Sequence, residues 1–222
     1  METKTPGIVL KRHNYGEADR ICRILTLELG LISALAKGVK KVKSKRGGAF
    51  ELFSECEFCF HRRTGELFLV TDAQLVSTLN TNTNTTNTNT NTNTNNLGNL
   101  KVAYAAAEWL LILLPAEKPV PKTYTLVCEF LKALSRDKKL PLIELAFQTK
   151  LLSILGYLPD ADKFPEREHK LIKFLKEKDF AEIISLAEEP STFAKVKNSF
   201  IEIFERETEK VSRVAPATHD WD

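Results

Sequence analysis

Residues 50–75, FELFSECEFCFHRRTGELFLVTDAQL, decide the fold class. Phe50, Leu52, Cys56, Phe58 and Phe60 share one parity, and Glu51, Glu55, Glu57 and His61 share the other. A period of two sends alternate side chains to opposite faces, so 50–62 reads as a strand with one buried and one wet face. Thr64-Gly65 supplies a turn. In the next run, 66–77, Leu67, Leu69, Ala73 and Leu75 alternate with Phe68 and Val70, so both faces are partly apolar. Such a strand needs cover on its outer side, which the downstream part of the chain is expected to provide.

Working back toward the N-terminus, three more short β-rich runs appear near 7–13, 19–27 and 30–37, punctuated at Asn14-Tyr15-Gly16, Leu29-Gly30 and residues 45–48. Five closely spaced strands imply a small barrel or sandwich. Between the third and fourth lies KGVKKVKSKRGG, residues 37–48. There Lys37, Lys40, Lys41, Lys43, Lys45 and Arg46 put six cations into ten residues. Cations this dense repel one another unless solvent or a polyanion separates them, and phosphate backbones reward such clusters through counterion release. Five strands with a long basic connection after the third suit an OB-type barrel, a fold whose grooves bind single strands, although other small barrels fit the pattern equally well.

Working forward, residues 80–96 become an Asn/Thr repeat with no apolar or charged residue. Ordering it costs conformational entropy with no hydrophobic return, so it reads as a linker or expanded loop. From 97 the period is helical. Residues 99–115 carry Leu100, Ala103, Tyr104, Ala107, Leu110, Leu111 and Leu114 on one face, ended by Pro115. A second helix follows Pro121 with Tyr124, Val127, Cys128, Leu131 and Leu134 inward, and a third spans 141–155 before Gly156. Amphipathic stretches at 166–177, 179–188 and 191–213 complete the series, the last with Ser191 as its cap. The fold class is therefore α+β, with an N-terminal five-stranded OB-type β-barrel and an all-α helical domain. The expected division is 1–79 barrel, 80–96 linker and 97–222 helical domain.

The 222 residues are 43% hydrophobic and 27% charged, ordinary for a globular chain with a real core. Net charge is only +3 but unevenly spread: residues 1–80 hold 13 Lys/Arg against 9 Asp/Glu, and 97–222 hold 19 against 20. The basic character belongs to the N-terminal part. No run suits a signal peptide and none offers eighteen uninterrupted apolar residues, so a soluble, cytoplasmic protein without a membrane partner is expected. Four scattered cysteines, Cys22, Cys56, Cys59 and Cys128, read as reduced.

Catalytic signatures are missing: no glycine-rich phosphate loop, no HExxH and no nucleophile elbow. His13, His61, His169 and His219 share no spacing. Cys56-Glu57-Phe58-Cys59 matches CxxC, but the odd separation within a strand sends its thiols to opposite faces, and no second pair completes four ligands. No catalytic residue, metal or cofactor is assigned. Tyr15 and Phe53 are candidate stacking platforms, Phe53 with the alternative of a half-buried strand residue.

The sequence resembles the RecO family of DNA repair and recombination mediators. The residues that carry the likeness are GIVLKRHNYGEADRI, LTLELGLISALAKG, the basic run with Lys43-Ser44 and Gly47-Gly48, and LLSILGYLPD at 151–160. The resemblance implies an OB-fold joined to a helical domain, DNA binding without sequence preference, annealing of complementary strands, and work with RecR and single-strand-binding protein to place RecA on coated DNA. Both single- and double-stranded DNA are implied ligands, with nucleoid association in the cytoplasm. By position, Lys11, Arg12, Arg20, Lys37, Lys40, Lys41, Lys43, Lys45 and Arg46 are the DNA-contacting set, with an Asp19 ion pair as the alternative for Arg20. Two departures stand out. Residues 160–222 contain no cysteine where many family members carry pairs resembling a zinc site, and the Asn/Thr repeat lies where the family joins barrel to helix. The alternative function is an RNA-binding OB-fold protein with a helical adaptor, which would use the same loop.

Overall fold

The computed structural model describes residues 2–41, 47–62, 67–79, 91–136, 139–160, 163–186 and 190–214. Of the basic cluster, Lys43, Lys45 and Arg46 therefore lie outside the described residues, as do 80–90 of the repeat, His219 and the C-terminal tail with Trp221. The chain divides into two compact units, one of residues 1–103 with 114–127, the other of 104–113 with 128–222.

The first unit is a closed barrel of β1 (Glu2–Tyr15), β2 (Asp19–Thr26), β3 (Gly30–Ala36), β4 (Ser54–Arg62) and β5 (Phe68–Thr78), ordered β1-β2-β3-β5-β4. β1 is longer than the 7–13 expected because it serves two neighbours. Glu2 to Ile8 pair with β4, Gly7 to Tyr15 pair with β2, and a bulge between Val9 and Lys11 bends the strand between its two tasks. Closure is completed by a parallel β3–β5 contact at Ala34↔Phe68 and Leu35↔Leu69. This is the OB-type barrel expected.

Its interior is aromatic. Phe50, Phe58, Phe60 and Phe68 follow one another at centroid separations of 5.8, 5.4 and 6.1 Å, among Val9, Ile24, Ile32 and Val70. Phe50 does not reach this core from a strand. Gly47–Phe50 is a short 3-10 helix, Phe53 takes a left-handed φ of 62°, and β4 begins only at Ser54. The parity from 50 to 52 does not mark a strand: Phe50 is buried at the end of the 3-10 helix, and Phe53 is buried in the turn after it, where its N–H donates to the Val9 carbonyl at 2.8 Å. Leu75 and Val76 of β5 stand 46% and 60% exposed, so the cover expected for its outer face does not reach its far end.

A strap of residues 116–118 lies against β3 of this unit. Leu31 bridges Ala116, and the Glu117 N–H donates to the Leu31 carbonyl at 3.0 Å. Gly30 permits this approach: its φ is +73°, and a Cβ there would fall 2.0 Å from the Lys118 carbonyl oxygen. Arg62 ties the strap to β4 through Glu117 at 2.7 Å, and the Tyr124 hydroxyl donates to Glu55 at 3.3 Å.

The helices are α1 (Asn91–Leu113), α2 (Pro121–Arg136), α3 (Leu140–Leu155), α4 (Glu166–Glu177), α5 (Phe180–Ile184) and α6 (Pro190–Val214). α1 starts inside the Asn/Thr tract, eight residues before the expected 99, because extending an existing helix adds a hydrogen bond per residue fixed without a new nucleus. Tyr104, expected inward, is 51% exposed. α5 is shorter than the 179–188 expected, and α6 starts at Pro190, whose fixed φ suits a first helical position, rather than after Ser191. The second unit centres on α3, whose Leu142, Ile143, Phe147, Leu151 and Leu152 are all buried. Phe130 meets Phe147 at 4.4 Å, and Trp109 stacks on Phe204 at 4.6 Å. Gly156 closes α3 in the left-handed region as its sequence position implied.

Candidate nucleic-acid interface

The basic loop leaves β3 at Lys37, beyond the pair Arg20↔Ala36, and returns through the 3-10 helix. Its outgoing limb is fixed to the β1–β2 turn. The Gly38 N–H donates to Asp19 Oδ1 at 2.7 Å, and the Lys40 N–H donates to the Ala18 carbonyl at 3.0 Å. Asp19 thus holds a backbone amide in the loop. The ion-pair partner of Arg20 is Glu51.

The returning limb is pinned from within. Arg12 lies opposite Cys22, and Arg20 opposite Ala36, so both arginines share the parity of the barrel interior at its open end. Each donates from Nη1 to the Phe50 carbonyl, at 3.2 and 3.4 Å, and each meets Glu51 Oε1, at 2.5 and 3.3 Å. Partial burial alone would raise the Glu51 carboxyl, but hydrogen bonds and charge from Arg12, then Arg20, outweigh it and hold the group below its ordinary value. Beneath this cap Cys22 is fully buried, and burial pushes its thiol up to about 12 even though Arg20 and Arg12 pull the other way.

The lysines differ. Lys11, Lys37, Lys40 and Lys41 are exposed, and their ammonium groups have no hydrogen-bond or ion-pair partner among the described residues. Lys11 faces outward on β1, where its cross-strand partner is Arg23, which donates to Ser33 Oγ at 3.0 Å. Burial lowers the Arg23 guanidinium, and burial followed by the Lys11 charge lowers His13. Tyr15 is 48% exposed at the tip of the β1–β2 hairpin and presents a ring, whereas Phe53 at 2% is a core residue and no platform for a base.

Sequence reading missed Arg23 and Glu51. The bulge at Leu10 is what brings Arg23 opposite Lys11, and periodicity carries no mark of it. Glu51 resembled one more wet-face acid. The CxxC pair separates as its spacing implied: Cys56 is buried in the interior with its thiol raised to about 12 by burial, and Cys59 is not part of that core. Among the described residues no group of three or more His, Cys, Asp or Glu could hold a metal ion, and no helix is long and apolar enough to cross a membrane.

Residues 1–79 match the family model described as Recombination protein O N terminal, and 95–164 match Recombination protein O C terminal. A protein named DNA repair protein RecO from Rubrobacter xylanophilus is 32% identical over 161 residues, 72% of this chain and 59% of its own length. Another of that name from Dehalococcoides mccartyi is 31% identical over 170 residues, 76% of this chain and 62% of its own. One from Listeria monocytogenes is 26% identical over 162 residues, 72% and 58%. The chain thus spans about three-fifths of the length of these curated relatives. With both family regions present in order over a closed OB-type barrel and the helices after it, the chain belongs to the RecO family.

Proposed function

We propose that this protein is a DNA repair and recombination mediator that binds single- and double-stranded DNA without sequence preference and anneals complementary strands. The observation that carries the reading is the set of partnerless lysines, Lys11, Lys37, Lys40 and Lys41, toward one end of the barrel. Lysine acts on phosphate as a point charge and needs no base geometry, which suits backbone binding. By sequence Lys43, Lys45 and Arg46 complete the basic run, and Arg12 and Arg20 belong to the same end as the described lysines. Strands held on this face would have their mutual repulsion neutralised, so annealing follows from screening and proximity rather than from catalytic chemistry.

In this reading residues 1–79 hold the nucleic acid, 80–96 connect, and 97–222 serve protein partners. Those partners are RecR and single-strand-binding protein, and through them RecA is placed on coated strands. The site of action is the cytoplasm, at the nucleoid.

The test is fluorescence-monitored annealing of complementary oligonucleotides, bare and coated with single-strand-binding protein, across a salt series. Acceleration that survives the coating is expected, with log affinity for single strands falling by about 0.7 per phosphate neutralised for each tenfold rise in salt. Glu at Lys40, Lys41, Lys43 and Lys45 together should abolish binding while the fold persists, and unchanged low-salt affinity in that variant would sink the proposal. A marked preference for RNA over DNA of the same sequence would point instead to a reader of the 2′-hydroxyl.

A further inference from the structure

The cations at the barrel end are of two kinds. The four described lysines are exposed and partnerless, whereas the side chains of Arg12 and Arg20 are only 26% and 19% exposed and already engaged with the Phe50 carbonyl and Glu51. A guanidinium committed to a main-chain carbonyl and a carboxylate is poorly placed to meet a phosphate. What these arginines grip is the returning limb of the basic loop. That limb also seats the outgoing one: Val39, between Lys37 and Lys40, is 4% exposed in the same apolar cluster as Ala49 and Phe50. Gly47 lies so close that a Cβ there would be 3.4 Å from the Val39 carbonyl oxygen.

Resting on the DNA-binding reading above, we propose that Arg12 and Arg20 are positioning residues. Through Glu51 and the Phe50 carbonyl they lock the returning limb, which seats Val39 and thereby fixes Lys37, Lys40 and Lys41 for the phosphate backbone. Glu51, an acid inside a basic site, then strengthens DNA binding. This is the opposite of what its charge alone predicts, since a carboxylate beside a polyanion repels it.

The opposed signs make the test. Full-length Glu51→Gln, Arg12→Lys and Arg20→Lys are titrated with a fluorescein-labelled single-stranded oligonucleotide by anisotropy over a salt series, with thermal melting to verify the fold. Each variant should bind roughly three- to tenfold more weakly at fixed salt, the cost of ordering a loosened loop on the strand. The slope of log affinity against log salt should stay unchanged, because the same lysines still meet phosphates. Trypsin should cut at Lys40 and Lys41 several-fold faster in each variant without DNA. Tighter or equal binding by Glu51→Gln would overturn the proposal. So would unaltered binding and proteolysis in the Arg→Lys variants, which keep the charge and lose the fork. Should Glu51→Gln fail to fold, the two Arg→Lys variants carry the same test. Failure of the unsubstituted chain to bind any oligonucleotide would count against the DNA-binding reading, and the proteolysis rates would still decide the positioning role.

Discussion

Lysine is put to two uses in this molecule. In the second unit, Lys139 Nζ donates to the carbonyls of Ile184 and Leu186, and Lys150 Nζ to those of Lys176 and Lys178, capping the ends of α5 and α4. Lys170, Lys178, Lys195, Lys197 and Lys210 are paired with Glu166, Glu182, Glu168, Glu144 and Glu207. At the barrel end, Lys11, Lys37, Lys40 and Lys41 have no partner among the described residues, and it is the arginines that are engaged. Net charge does not show which lysines are engaged in this way, and in the second unit Lys132, Lys163, Lys173 and Lys176 likewise have no partner among the described residues. A cation spent on a helix terminus or a neighbouring carboxylate contributes little field outward, so functional charge is counted after internal pairing, not before.

The largest effect expected from breaking the contrast is on binding. Replacing Lys37, Lys40 and Lys41 together with Gln should lower the salt slope for single strands by about 2 and the low-salt affinity roughly a hundredfold, with the melting temperature unmoved. Lys150→Met should do the reverse. Removing the donor to the Lys176 and Lys178 carbonyls should cost about 0.5–1 kcal/mol in chemical denaturation, since water can reach these exposed bonds, with oligonucleotide affinity unchanged.

Glu51 sharpens the comparison through pH. Its carboxyl is held below the ordinary 4.5, so the stability it contributes is full above that pH and is lost as pH falls through the lowered value. The thermal midpoint of the native chain should exceed that of Glu51→Gln by a few degrees at neutral pH, on the scale of about 1 kcal/mol, and the gap should close toward pH 3. Smallest of all, Lys170→Gln breaks a pair whose side chains are 75% and 81% exposed, and should cost about 0.3–0.5 kcal/mol by the same denaturation assay.

The barrel was legible because its strands alternate over short runs between Gly-containing turns, and α3 because Gly156 stops a strongly apolar stretch. Where reading failed, the cause was a feature that alternation cannot carry. The 3-10 turn at Gly47–Phe50 imitates strand parity for two residues, and the bulge at Leu10 changes which side chains face Arg23. The basic loop was visible as charge. Which of the surrounding cations are free was not, because that depends on Glu51 lying beside Arg12 and Arg20, residues more than thirty positions away in the chain. Tyr104 followed the helical stripe and is nonetheless exposed, since a stripe marks a direction and not how far the cover extends.

The strap over Leu31 bears on the order in which a nascent chain can mature. All five strands lie before residue 79, yet Gly30 and Leu31, paired with Thr26 and Leu25 of β2 on one side, receive main-chain neighbours on the other only from residues 116–118, on the far side of α1. A ribosome must therefore translate the first helix and its exit before the barrel acquires its last contact. Until then, the β3 edge carries an amide-seeking carbonyl open to any passing strand. Pausing of translation between residues 80 and 118 would lengthen that interval, and would make the newborn barrel dependent on whatever shields such edges in the cell.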